Sequence, residues 1–403
     1  MISLGSLATS AALPIRLGAV AAAAIVQLAT VLYLGSSISG GDAYTYLALA
    51  DDWSSWSRLF ESEAFMSNFW PAGYPGFLAL FAWAGEAEII AIRVAHIVLA
   101  AAVALMAGVL ADSFNRIAGT VTTVVVALSP TAIWSVWAIG YELLLAALLL
   151  AGLLLVWRQF RAPSPWPPIA GGLLLGSALI IQFRAVAAVV VLLIAVGRSK
   201  RRVAALALTG VVLPVLAWAA RSMVAVGSPA PWSANGPYNL WNGNGPHATG
   251  HNVFPLPDIP ADASGYMDAA LTWIAGSPLD FLVITGKKFL YLFEPTRLSS
   301  VANPIPGLGL VALLEFAVAG LVIVGLITFV FLWVTHQASG VSVLGVPFLF
   351  AAAYLLPNVL FIVESRFSIP VHGILVAVSV TSLIAMVALR QQKAATELST
   401  AGD

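Results

Sequence analysis

The chain has 403 residues, of which 60% are hydrophobic and only 9% charged. A soluble domain carries about a quarter charged residues, so most of this surface must face lipid rather than water. Zero net charge gives no reason to expect a nucleic-acid partner, and the lack of cysteine excludes thiol catalysis, disulfides and thiolate metal sites.

A helix needs about 20 mainly apolar residues to cross a bilayer. Stretches of that kind cover 17–36, 89–111, 117–136, 138–157, 167–182, 183–198, 203–220, 306–334, 341–362 and 368–389. The sequence therefore predicts an all-α polytopic membrane protein with about ten transmembrane helices. Residues 167–198 are one apolar run interrupted by Gln182 and Arg184, read as a tight helical hairpin. Gly73–Gly85 is apolar but too short to span, and is read as an interfacial or re-entrant helix.

Charge orients these spans. With the N-terminus inside, the inner connections hold Arg116, Arg158, Arg161, Arg198, Lys200, Arg201 and Arg202, and the tail holds Arg390 and Lys393. The positive-inside rule then puts both termini in the cytoplasm. The first span lacks a basic segment at its start and is longer than a signal-peptide core, which favours an uncleaved anchor. Three regions follow: an N-terminal membrane module (1–221), a large outer loop (222–305) and C-terminal membrane helices with a short tail (306–403). Most polar residue types suited to chemistry fall in the outer stretches 37–88 and 222–305.

The first outer stretch opens with "GGDAYTYLALADDW". Tyr46, Leu49, Trp53, Trp56 and Phe60 fall on one helical stripe, with Asp51, Asp52, Ser55 and Arg58 facing away. This predicts an amphipathic helix with its aromatics at headgroup depth. Asp42 sits at its start, as a helix cap or as a general base at an interfacial cavity, and the two roles are compatible. Further on, Pro71 and Pro75 fix bends around Gly73 and Tyr74, and Tyr74 is a candidate substrate contact.

Ionisable residues inside spans are costly and usually functional. Arg93, near an outer helix end, reads as a snorkelling structural residue. Glu142, Arg184, Arg221, Glu364 and Arg366 all fall at outer ends of spans, at the level of Asp42. Glu315 stands alone within its span, without an assignable role. Guanidiniums at one depth suit a phosphate, so Arg184, Arg221 and Arg366 are candidate phosphate ligands. A phosphate at the membrane surface with an apolar tail in lipid describes a polyprenyl-phosphate carrier. Individual pairing with lipid headgroups or helix ends is the plainer alternative.

The large outer loop contains "NLWNGNGPHATGHN". Trp241, Asn242 and Asn244 suit sugar faces and hydroxyls, although turn chemistry alone accounts for the composition. His247 and His251 are weak metal candidates that would need a carboxylate such as Glu63 or Asp258; no metal or other cofactor is required. Residues 279–292 read as a surface helix whose Lys287 and Lys288 can touch phosphates or headgroups.

Taken in order, "GDAYTYLALA", "PAGYPGFLAL", "SPTAIWSVWAIGYELLLA", "WAAR", "NLWNGNGPHATG" and "ESRFSIP" resemble the GT-C superfamily of integral-membrane glycosyltransferases. The resemblance is to the branch of bacterial aminoarabinose transferases and protein O-mannosyltransferases, and runs from Leu17 to about Ala388. It implies transfer of a sugar, usually with inversion, from a polyprenyl-phosphate donor such as undecaprenyl phosphate. The location implied is the periplasmic face of a bacterial inner membrane. Asp42 would be the catalytic base, Glu142 would support the site or orient the acceptor, and Arg184 would bind donor phosphate. The sequence departs from the family in having Ala43 where a second acid is common, Arg184 near a lysine position, and no large soluble C-terminal part. The expected partners are the lipid-linked donor, membrane lipids and an acceptor, with a lipid or glycan preferred over a protein. A flippase for the lipid-linked sugar and a non-catalytic scaffold are the rival readings.

Overall fold

The computed structural model of the chain describes residues 4–38, 41–53, 70–160, 165–227, 235–253, 258–293, 308–335 and 344–400. These form helices, turns and short connections, with no strand among the described residues. The N-terminal part contains α1 (Leu4–Leu34), α2 (Gly41–Trp53), α3 (Gly73–Leu78) and α4 (Glu88–Ala111). There follow α5 (Arg116–Leu128), α6 (Pro130–Trp137), α7 (Glu142–Trp157), α8 (Trp166–Ile181), α9 (Val186–Gly197) and α10 (Arg201–Val226). The loop 222–305 contributes α11 (Gly236–Asn244), α12 (Tyr266–Gly276) and α13 (Pro278–Tyr291). The chain closes with α14 (Leu308–Val334), α15 (Gly345–Asn358) and α16 (Ile369–Thr400).

Five helical stretches are long and apolar enough to cross a membrane: Ala12–Leu34, Gly73–Ala111, Arg201–Val224, Leu313–Val334 and Ser365–Ser399. Counting two bent helix pairs as one crossing each raises this to seven. The remaining apolar helices α7, α8, α9 and α15 are shorter. At about 1.5 Å per residue, the 16 residues of α7 or α8 reach roughly 24 Å, against about 30 Å of hydrocarbon. For α7 and α15 the apolar stretch runs on into residues that are not helical, 138–141 and 359–362.

The breaks have local causes. Ser129 is extended, as a residue before proline tends to be, and its hydroxyl accepts from the Ala132 amide to start α6. This bends α5 from α6 by 47°. A 3-10 segment, Ala79–Ala87, joins α3 to α4 and contains Gly85 at φ 55°, a left-handed conformation suited to glycine. The segment 73–85, expected to stand apart as an interfacial or re-entrant helix, instead continues into α4 as one helical stretch, Gly73–Ala111, kinked at Gly85. Gln182 is extended and ends α8, as the sequence predicts. The two halves of the run 167–198 then diverge: α8 packs on α7 and α10, and α9 on α15 and α10.

At the centre lies α16, which packs on α4, α5, α7, α14 and α15. Small residues let the helices approach. A methyl on Gly172 of α8 would run into the Ala207 carbonyl of α10 and lie 2.9 Å from the Gly210 Cα. Gly176, one turn on, meets the Val211 carbonyl in the same way. In lipid this close packing replaces the hydrophobic drive between helices.

Two ends of the bundle differ in charge. At one end Arg16 forms a double hydrogen bond to Asp112 (2.7 and 2.5 Å) and also reaches the Arg116 carbonyl. At the α7 C-terminus, Lys200 donates to the Gln159 carbonyl (2.8 Å). Arg158, Arg198, Arg201 and Arg202 lie at the helix ends on this side. The other ends of α7, α8 and α9 converge on the candidate site.

We expect Gly172→Ala to destabilise the fold by about 1–3 kcal/mol, because backbone atoms rather than a flexible side chain would have to move. Gly320→Ala on α14 meets no neighbour within 4 Å and serves as the control. Thermal unfolding in detergent reads the difference.

Candidate functional site

Asp42, Glu142, Arg184, Glu364 and Arg366 line one cavity of about 600 Å³. Each stands at or beside a helix end. Asp42 is in the first turn of α2 and Glu142 in the first turn of α7. Arg184 lies in the short 3-10 turn between α8 and α9, and Arg366 in another just before α16. Helix starts present unpaired amides and a positive dipole end, which favour carboxylates there.

Arg366 is the hub. Its Nη2 donates to Asp42 Oδ2 at 2.7 Å, and its Nε lies 2.6 Å from Glu364 Oε2 and 3.5 Å from Glu142 Oε1. Asp42 and Glu364 are partly exposed to the cavity, with 37% and 32% of their side-chain surface accessible; Glu142 keeps 4%. Glu142 Oε1 has no hydrogen-bond partner among the described residues, an unusual state for a buried carboxylate oxygen.

Arg184 has different surroundings. Its guanidinium lies over Phe361 and Phe367, 4.9 and 5.3 Å from the ring centres, and donates to Asn358 Oδ1 at 3.1 Å. Among the described residues no carboxylate pairs with it, so its charge is available to an anion in the cavity. Aromatic rings, among them Trp70, Trp134, Trp137 and Tyr238, and the amides of Gln182, Asn235, Asn239 and Asn252 form much of the remaining wall. Gln182 donates to the Tyr141 hydroxyl at 3.0 Å.

Several expectations are corrected. The stripe of α2 faces protein rather than lipid headgroups: Tyr46 and Leu49 are 2% and 4% exposed. The Tyr46 ring packs edge-on against Trp70, Tyr74 and Tyr141 at 5.2–6.4 Å. Burial pushes its phenol well above the usual range, so it stays a neutral group at the cavity wall. A stripe of apolar residues has the same spacing whether it meets lipid or protein. The Trp53 side chain, Trp56 and Phe60 lie outside the described residues, as does Glu63.

Arg366 is surrounded by three carboxylates that offset its charge, which sets it apart from Arg184 as a phosphate ligand. Arg221 does not line the cavity; its guanidinium lies 4.8 Å from the Trp218 ring centre. Tyr74 is 1% exposed, and its hydroxyl pairs with His96 Nε2 at 3.2 Å away from the cavity. Arg93 does not snorkel but is 1% exposed and donates to the carbonyls of Gly35, Ser37 and Trp137.

The outer-loop residues also serve the fold. Trp241 is buried against Ala269 and Ala270. Asn242 donates to Asn252 Oδ1 (2.6 Å) and accepts from the Val253 amide (2.9 Å). Asn244 donates to the Leu360 carbonyl (2.7 Å) and accepts from Lys288 Nζ (2.7 Å). Lys288 is thus buried rather than at a headgroup, while Lys287 is exposed. His251 Nδ1 donates to the Val363 carbonyl (3.1 Å) and its ring stacks on Tyr291. Burial lowers the His247 imidazole below its usual range, and its ring lies edge-on to Trp241. These contacts leave the two histidines apart in role. No group of three or more His, Asp or Glu suited to a metal occurs among the described residues.

No protein-family model matches the chain, and a search of curated proteins finds no match. The reading of the site rests on its own geometry.

Sequence reasoning underweighted Glu364, Gln182 and the pair Asn235 and Asn239. Glu364 is two residues from Arg366, so its signal was present. The amides carry no such signal, because their facing depends on how the outer loop folds back.

We expect Arg366→Met to destabilise the protein by about 3–5 kcal/mol, since it strands a buried carboxylate. The double variant Arg366→Met/Glu142→Gln should recover part of that loss. Denaturation midpoints of the two variants check this.

Proposed function

We propose that this protein is a membrane glycosyltransferase that moves a sugar from a polyprenyl-phosphate donor to an acceptor hydroxyl. The observation that carries the reading is one cavity holding three carboxylates and two guanidiniums, walled by aromatic rings and amides. Its size, about 600 Å³, falls in the range of small-molecule sites. Carboxylates supply a base, an unpaired guanidinium suits a phosphate, and rings with amides suit a sugar.

In this mechanism the carboxylate of Asp42 takes the proton from the acceptor hydroxyl. The acceptor oxygen forms a bond to the anomeric carbon on the face opposite the phosphate. The carbon–oxygen bond to phosphate breaks, and its electron pair stays on the leaving phosphate. Arg184 stabilises that charge. Arg366 positions Asp42 and Glu364, and Glu142 supports Arg366 from the buried side. These steps require no metal or nucleotide.

The membrane arrangement belongs to the same proposal. The chain crosses about ten times in a bacterial inner membrane, as the five long stretches, the bent pair α5–α6 and the short helices α7, α8, α9 and α15, with α12 and α13 outside the membrane. Both termini are cytoplasmic and the cavity opens to the periplasm. The cationic end formed by Arg16, Arg116, Arg158 and Arg198–Arg202 supports this orientation under the positive-inside rule. Helices that stop short of the outer surface suit a site that an aqueous acceptor and a lipid-borne donor both reach. The preferred acceptor is a lipid or glycan.

The test is transfer in proteoliposomes from radiolabelled polyprenyl-phosphate sugars to a membrane lipid extract. Asp42→Asn should lower the rate by about 10²–10⁴-fold while leaving donor binding intact, as loss of a general base does. Donor crossing the bilayer equally in both proteins, with no labelled product, would replace the transferase reading with a flippase.

A further inference from the structure

Arg93 is a charged side chain in the apolar helix α4 that the transferase mechanism leaves unused. It is 1% exposed and does not line the large cavity. A guanidinium buried in an apolar bundle is costly, so its hydrogen bonds must offset the loss of water. Its Nη1 and Nη2 donate to the Gly35 and Ser37 carbonyls, and its Nε donates to the Trp137 carbonyl at 3.2 Å. These acceptors belong to two separate helix ends. Gly35 follows the last residue of α1, and Trp137 is the last residue of α6. The final carbonyls of a helix have no partner within it and carry the negative end of its dipole, which suits a cation.

One turn further along α4, His96 adds to the grip on α6. Its Nδ1 lies 3.4 Å from the Val136 carbonyl, which can only accept, so Nδ1 carries the proton and Nε2 accepts from the Tyr74 hydroxyl at 3.2 Å. The Arg93 guanidinium also lies 6.0 Å from the centre of the Trp137 ring, within reach of a cation–π contact.

Both anchored ends lead into the site. Asp42 stands five residues after Ser37, and Glu142 stands five residues after Trp137. Every residue from Trp137 to Glu142 lines the large cavity. Arg366 joins the same two carboxylates through their side chains. We propose that Arg93 is a positioning residue for the site: it ties the main chain before Asp42 to the main chain before Glu142, and so fixes the spacing of the two segments that carry the carboxylates. Arg366 and Arg93 divide the task, one holding the carboxylate groups and the other the backbone that delivers them. The effect on rate rests on the transferase reading, whereas the anchoring does not.

Two measurements on the full chain in lipid nanodiscs test this. In the first, infrared spectra with ¹³C-labelled aspartate identify the Asp42 carboxylate band by its loss in Asp42→Asn. Arg93→Met should shift that band, because Asp42 moves relative to Arg366. Gly172→Ala, which strains the contact between α8 and α10, should leave it in place. In the second, transfer from radiolabelled polyprenyl-phosphate sugars is measured per folded molecule. Arg93→Met should lower kcat by about 10–100-fold with KM for the donor within about twofold of wild type, as a small misplacement of the reacting groups does. Arg93→Lys keeps a cation but not the three-pronged reach, and should fall between the two. It carries both tests if Arg93→Met does not fold. An Asp42 band that Arg93 variants leave unmoved, or that Gly172→Ala shifts equally, overturns the proposal, as does an unchanged kcat per folded molecule. A shifted band where the wild type transfers no sugar supports the anchoring and overturns the transferase reading alone.

Discussion

A single guanidinium ties together three distant parts of the chain. Arg366 holds Asp42 from the first outer stretch, Glu142 from the start of α7 and its own neighbour Glu364. Glu142 is nearly inaccessible, and a buried carboxylate needs a compensating charge. The need runs in both directions, because a guanidinium at the edge of an apolar bundle also needs anions. This mutual requirement fixes α2 against α7 and the start of α16, and thereby sets the cavity between them.

The helix ends follow from the same constraint. An apolar bundle cannot accept polar side chains in mid-helix without cost, but at a helix end they can meet unpaired backbone groups and one another. α7 begins at Glu142, α8 ends before Gln182, and α15 ends at Asn358, the amide that receives Arg184. The short helices are thus the means by which polar groups collect at one level. The outer loop then grips the segment leading to Arg366. Asn244 holds the Leu360 carbonyl, the Val363 amide donates to the Gly250 carbonyl, and His251 holds the Val363 carbonyl. Lys288 supports Asn244 from below. Of the asparagines of "NLWNGNG", Asn244 clasps the site segment, Asn242 ties the loop to itself and Asn239 lines the cavity.

Much of this was legible in the residues. The continuous apolar stretches called for an all-helical bundle, since lipid leaves backbone groups no partner outside the element and barrel strands would alternate instead. The level shared by Asp42, Glu142, Arg184 and Arg366 was also legible, because a charge in an apolar stretch marks a helix end. The break at Gln182 was legible for the same reason. Less legible were Arg221 and Tyr74, which share the level or the stretch but face elsewhere in the bundle. Level along an axis can be counted in residues; direction around it depends on which neighbour each helix finds.

By itself, then, the sequence determined the class of protein, the apolar stretches, the charge difference between the two ends and the set of ionisable residues that share one level. Each of these depends on the local chemistry of consecutive residues against lipid or water. Only the tertiary structure decided which of those residues meet. It gave Arg366 to the carboxylates and left Arg184 to the cavity, turned the α2 stripe inward, and set Arg93 between the ends of α1 and α6. Those outcomes depend on contacts between helices separated by up to hundreds of residues, and periodicity within one helix carries no information about its partner.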